Sequence, residues 1–308
     1  MSSDHNSRPL SNGHPTEWIF PMAFILAAAW VVWHLPAWTM DFIPPEGSKG
    51  DQLSALYRRY DVLPNVPAPF GNYVDWVDWI ALISMPILFY FGVKTARRAK
   101  MEFADWRAID KIAVFIGRVT MMLIVLLLGV MLYEVFVRYV LEAPTLWANE
   151  LSLWLAGFVF LGAGLYAMQQ RSHIRIFLLY DICPRPIQRL FDTISTVLIV
   201  LFAFFLVYGG YGEALDKLWR WERFGTAFDP PIPATIKPFV LLIVTLVAIQ
   251  AVINLISDWN AEPVIHTAAD DIDEDELARL RAAVGSEGTG DLDVTRGSIQ
   301  SNTPKKER

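Results

Sequence analysis

Residues 138–186, RYVLEAPTLWANELSLWLAGFVFLGAGLYAMQQRSHIRIFLLYDICPRP, decide the fold. Leu151 to Met168 holds no Asp, Glu, Lys or Arg. A run of about 18 such residues, rising ~1.5 Å each, comes close to crossing a hydrocarbon core of about 30 Å. The stretch reads as a membrane helix. Its entrance is aromatic and acidic, with Trp147 and Glu150, and its exit is basic, running into Gln169, Gln170, Arg171, His173 and Arg175.

Composition extends that reading to the whole chain. Hydrophobic residues make up 54%, with 12 Trp and 19 Phe among 308 residues, which is far from a soluble domain. The net charge of -6 is dominated by acids after Asp258, so it gives no sign of a nucleic-acid partner. The single cysteine, Cys183, excludes an internal disulfide and a cysteine-rich metal site. The class is an all-α integral membrane protein.

Residues 1–17 form a polar N-terminal segment. Trp18 to Met40 then carries no formal charge. This is longer than a secretory signal, and its only cluster of small residues, Ala27 to Ala29, sits in the middle rather than beyond the apolar region. A retained helix is expected, ended or kinked by Pro36. The proline-rich connector Asp41 to Tyr73 is too polar for lipid and too long for a tight hairpin. The apolar stretch Val74 to Val93 follows, preceded by Asp75 and Asp78 and interrupted by Pro86. It is either a second span or a short re-entrant or buried helix. On the first of these readings, residues 18–93 supply two N-terminal spans with a Pro-rich periplasmic connector.

Residues 94–111 interleave six Lys and Arg with Met101, Phe103, Trp106 and Ile109, which suits an interfacial amphipathic helix or an ordinary basic loop. Residues 112–257 supply four more spans: Ile112 to Tyr133, Leu151 to Met168, Thr193 to Gly212 and Pro238 to Ser257. Asp181 to Asp192 is read as the turn before the third of these, with Pro184 and Pro186 stopping helices, and Glu213 to Lys237 as a second long connector. Arg118 and Arg138 are 20 residues apart, about 30 Å along a helix, so each can mark one membrane surface. Glu134 lies one turn before Arg138 and can pair with it. The short link to the next helix brings Glu134, Arg138 and Glu150 to one membrane end. One arginine between two carboxylates is read as a structural tie. Gln250 and Asn254, at i and i+4, present amides suited to interhelical hydrogen bonds. Residues 258–308 form an acidic tail with the composition of a disordered segment.

Lys and Arg concentrate in 94–111 and 169–189, which share a side if all six spans cross. The positive-inside rule then makes both loops and both termini cytoplasmic. Only His34 among five histidines falls within a span, which disfavours an axial haem pair. No nucleophile set, phosphate loop or metal-ligand pair stands out. No enzyme chemistry and no cofactor are expected.

One further pattern runs through the opening stretch. Arg138-Tyr139, Trp147 and Glu150 are followed by Phe160-Leu161-Gly162-Ala163, then His173-Ile174-Arg175-Ile176 and Pro184-Arg185. Together they resemble the small permease (DctQ-like) subunit of tripartite ATP-independent periplasmic (TRAP) transporters, over about Ile109 to Trp259. The resemblance implies a multi-pass subunit of the bacterial inner membrane. Its partners would be a large permease subunit and a periplasmic solute-binding protein, besides membrane lipid, in sodium-driven uptake of an organic acid. It would act as a scaffold, with Glu134, Arg138, Trp147, Glu150, Gly162, His173 and Arg175 as structural or partner-interface residues. The chain departs from the family pattern at Phe177, where an acid is usual, and by its two N-terminal spans and acidic tail. A non-transport membrane scaffold and a redox-complex anchor are the competing classes.

Overall fold

The computed structural model describes residues 14–43, 66–70, 73–97, 99, 102, 109–171, 180 and 183–260. Among them seven helices occur and no strand: α1 (Thr16–Trp33), α2 (Leu35–Phe42), α3 (Trp76–Thr95), α4 (Asp110–Val140), α5 (Ala148–Gln169), α6 (Arg185–Trp219) and α7 (Ile232–Asp258). All but α2 are long and apolar enough to cross a membrane. The chain divides into two compact units, one of Met1–Ile174 with Leu190–Trp259 and one of Arg175–Arg189 with Asn260–Arg308. The first holds the bundle. In the second, Gln188 donates to the Tyr180 carbonyl at 3.1 Å and Arg185 donates to the Gln188 side-chain oxygen at 3.2 Å.

Several boundaries differ from the sequence expectation, for one physical reason. A charge-free run measures the hydrocarbon thickness, whereas a helix continues into the headgroup layer, where polar residues are solvated. So α4 runs through Glu134 and Arg138 to Val140, for 31 residues or about 46 Å. α6 spans 35 residues, from Arg185 to Trp219. The residues expected as a turn, Asp181 to Asp192, are helical from Arg185, with Pro186 in the first turn, where its missing N–H costs nothing. Gly209, Gly210 and Gly212 do not end that helix. α7 begins at Ile232, with Pro238 inside it. The first span, by contrast, is broken at His34: α1 stops there and Pro36 occupies the first turn of α2.

The short apolar stretch before residue 94 forms a full helix, α3, of 20 residues. Its start is fixed by a capping box. Asp75 accepts from the Val77 and Asp78 N–H groups while Asp78 accepts from the Asp75 N–H, so the first turn's donors are satisfied reciprocally. Pro86 lies within the helix without ending it.

Packing fixes the directions. Gly117 approaches Tyr166 and Gly162 approaches Thr120, so α4 and α5 are antiparallel. Trp154 meets Thr235, Phe158 meets Phe239 at 5.1 Å between ring centroids, and Asn254 reaches the Met168 carbonyl, so α5 and α7 are parallel. Ala113, Leu165 and Ile243 form the centre of this three-helix core. α1 and α3 are antiparallel, through Phe24 and Phe89 at 6.0 Å and the Trp30 indole on Asp78 at 2.8 Å. They cover the first half of α4, where Phe24 and Phe89 pack against the buried Phe115 at 5.5 and 5.4 Å. The bundle therefore has an Asp110 end, with the start of α1 and α4 and the finish of α3, α5 and α7. The opposite, Glu150 end holds the α1–α2 break, the start of α3, α5 and α7 and the finish of α4.

α6 is different. Most of its apolar side chains are exposed, including Phe202, Phe204, Phe205 and Tyr208. It touches α7 near its finish, where Gly210 lies beside Leu241 and Glu213 pairs with Lys237.

Candidate functional site

At the Glu150 end, α4 overruns the hydrocarbon and places Glu134 and Arg138 one turn apart. Glu134 is buried while the Arg138 side chain is about half exposed. Arg138 donates to Glu134 Oε1 through Nε at 2.9 Å and Nη2 at 2.5 Å. The other carboxylate oxygen accepts from the Thr145 N–H at 3.2 Å and from the Thr145 hydroxyl. Glu134 thus ties the α4–α5 turn back onto α4. Trp147 closes the same turn, stacking on Tyr133 at 5.8 Å.

Glu150 shares this end and not this cluster. Its Oε2 accepts from the Thr226 hydroxyl at 2.6 Å, the Asp229 N–H at 3.0 Å and the Phe228 N–H at 3.2 Å. It gathers the α6–α7 loop onto the start of α5. Asp229 continues the turn, accepting from the Gly225 N–H at 2.7 Å and pairing with Arg223 at 3.3 Å. The expected arginine between two carboxylates is corrected to two separate ties, one per connector. Both carboxylates hold loop backbone, because a turn's N–H groups need acceptors that no helix supplies.

Gly162 is buried against α4. A Cβ there would meet Thr120 Oγ1 at 2.3 Å, so this glycine serves the chain's own packing. The outward face of α5 is the stripe of Leu153, Phe160 and Gly164, with Phe160 exposed to 79% and open space around Gly164. His173 and Arg175 lie outside the described residues, as does much of the basic segment 94–111.

At the Asp110 end three interactions emerge that the sequence reading missed or left unpaired. Gln250 donates to Asp110 Oδ1 at 2.9 Å and to Asn254 Oδ1 at 3.0 Å, and Asn254 donates to the Met168 carbonyl at 2.7 Å. This buried chain joins α4, α5 and α7. Arg118 pairs with Glu102 at 2.8 Å, and the Tyr166 hydroxyl donates to the same carboxylate at 2.7 Å. Arg118 is therefore more than a marker of a helix end. Arg171 makes a two-pronged pair with Asp258, at 2.7 and 2.8 Å. The available signal was an acid within a mostly basic segment for Glu102, and an acid at the mouth of an apolar run for Asp110.

Polar side chains thus gather at the two ends, and the described residues contain no group of three or more acidic, His or Cys side chains able to hold a metal ion. Six apolar helices, tied at their connectors and exposing apolar faces outward, define a multi-pass all-α membrane protein. Within it, residues 127–260 match the family model for Tripartite ATP-independent periplasmic transporters, DctQ component. The match covers under half of the 308 residues, from the second half of α4 to the finish of α7. Comparison with curated proteins and with solved structures gave no match.

Proposed function

We propose that this protein is the small membrane subunit of a TRAP transporter. It holds a large permease subunit in a bacterial inner membrane while that partner, supplied by a periplasmic solute-binding protein, carries out sodium-driven uptake of an organic acid. The observation that carries this reading is the match of residues 127–260 to the DctQ component. The architecture supports a scaffold role: polar groups brace the two ends, and the faces of α5 and α6 that the bundle leaves uncovered are apolar. Such faces suit van der Waals packing against another membrane subunit. Under this reading the Asp110 end, which adjoins the basic segments, is cytoplasmic.

The test is a mild-detergent pull-down of the tagged protein from its native membrane, with co-purifying proteins identified by mass. Recovery of a larger polytopic protein in constant ratio supports the two-subunit permease. Recovery of this chain alone, or with a coloured redox cofactor, overturns it.

A further inference from the structure

His34 is the single histidine that falls within an apolar span, and it sits at the break between α1 and α2, 9% exposed. Its contacts fix its chemistry. Nδ1 lies 2.9 Å from the Trp30 carbonyl. A carbonyl oxygen only accepts, so the neutral ring carries its hydrogen on Nδ1 and keeps a lone pair on Nε2. Nδ1 is also 3.7 Å from Asp78 Oδ1 on α3, and that oxygen accepts from the Trp30 indole at 2.8 Å. The Trp30 ring stacks on the imidazole with centroids 4.5 Å apart.

A proton added at Nε2 breaks none of these contacts. It places a positive charge between a carboxylate and an aromatic face, and both attract a cation. The charged residues of α2 and of the first turn of α3 are all acidic. Asp75 and Asp78 share the α3 capping box, and Asp41 of α2 accepts from the Tyr73 and Val74 N–H groups at 3.0 and 2.8 Å. The basic residue of α3, Lys94, lies in its last turn, and Glu17 lies in the first turn of α1, both at the Asp110 end. α4 meets the hairpin at Phe115, nearer that end. α5 comes to the break through Trp154, 6.3 Å from Trp33, and its Glu150 is engaged by the α6–α7 loop.

We propose that His34 binds a proton and thereby works a clasp: the charged imidazole attracts Asp78 and draws the α1–α2 break onto the start of α3. Imidazole is the side chain that gains and loses a proton between about pH 5 and 8. The attraction exists only in the charged ring, so the clasp is tight in acid and released as pH rises through that range. Because Asp78 also accepts from the Asp75 N–H at 3.0 Å, the pull is exerted on the cap of α3 itself. The site lies outside residues 127–260, so the proton response belongs to the N-terminal hairpin and not to the part that matches the DctQ component.

The experiment follows the imidazole signals of the full-length protein, isotope-labelled at its five histidines, by NMR in detergent from about pH 8 to about pH 5. Thermal unfolding is read over the same range. His34→Asn is the reference, since its side-chain amide can still donate to the Trp30 carbonyl. One signal, missing in His34→Asn, should titrate reversibly. The unfolding temperature of the wild type should gain a few degrees over His34→Asn on acidification, and Asp78→Asn should show no such gain. A His34 signal that does not titrate in this range overturns the proposal, as does a gain that is absent, reversed or kept in full by Asp78→Asn. Should Asp78→Asn not fold, because Asp78 also caps α3, the comparison of wild type with His34→Asn still decides the matter.

Discussion

Glu150 and Thr226, 76 residues apart in sequence, are joined by a 2.6 Å hydrogen bond from the Thr226 hydroxyl to the Glu150 carboxylate. The same oxygen receives the N–H groups of Phe228 and Asp229. One acceptor thus organises the connector between α6 and α7, and this gives a graded expectation. Glu150→Ala removes an acceptor from three donors and should lower stability by about 1–3 kcal/mol. Glu150→Gln keeps one oxygen and should cost less than half as much. Limited proteolysis at Arg223, read alongside thermal unfolding in detergent, reports the freed loop. Equal effects of the two substitutions would show that the carboxylate does not hold it.

Gly162 and Gly164 make a paired test of which glycines serve the bundle. A Cβ at Gly162 meets Thr120 Oγ1 at 2.3 Å, whereas at Gly164 nothing lies within 4 Å. Gly162→Ala should destabilise by about 1–3 kcal/mol, the usual cost of overpacking, and Thr120→Ala in the same chain should recover much of it. Gly164→Ala should leave the isolated subunit unchanged in a thermal melt. A bulky Gly164→Leu, harmless to the subunit alone, should lower co-purification with a membrane partner if that face is the docking surface.

Arg118, Glu102 and Tyr166 form a nearly dry cluster, with the Arg118 and Glu102 side chains 14% and 5% exposed. Removing one member of a buried pair strands the other. Arg118→Leu should therefore cost about 3–5 kcal/mol. Tyr166→Phe, which removes one hydrogen bond and keeps the ring, should cost nearer 1 kcal/mol. Chemical unfolding in mixed micelles separates these two values, and comparable costs would place the charge pair in solvent.

The spans were legible because charge-free runs of the right length have few other uses. The i, i+4 pairing of Glu134 with Arg138 was equally plain, since helix geometry alone brings them together. Helix ends were not, because Glu134, Arg138 and Glu213 are as compatible with a solvated helix as with a loop. The destination of Glu150 was hidden for a different reason. Its partners are mostly backbone N–H groups of a loop whose fold no side-chain pattern announces. Asp110 with Gln250 spans 140 positions, and only the arrangement of α4 against α7 makes that pair visible. Gly162 against Gly164 shows the same limit: both are small residues in one helix, and packing alone assigns one inward and the other outward.

The chain of Asp110, Gln250 and Asn254 asks how much a buried polar network is worth in a membrane. Hydrogen bonds between membrane helices average about 0.6 kcal/mol and reach about 1.7, because separated helices also find partners in lipid. Asn254→Leu removes the 2.7 Å bond to the Met168 carbonyl and the 3.0 Å bond accepted from Gln250, and should cost on the order of 1 kcal/mol. Gln250→Leu removes the donor to a carboxylate as well, and a charge-assisted bond is roughly twice as strong, so its cost should exceed that of Asn254→Leu. Asp110→Asn, which keeps an acceptor without the charge, should narrow that difference when combined with Gln250→Leu. A double-mutant cycle on Asp110 and Gln250 measures the coupling directly. A coupling near zero would mean that the network sets only the direction of α7 against α4 and contributes nothing to holding them together.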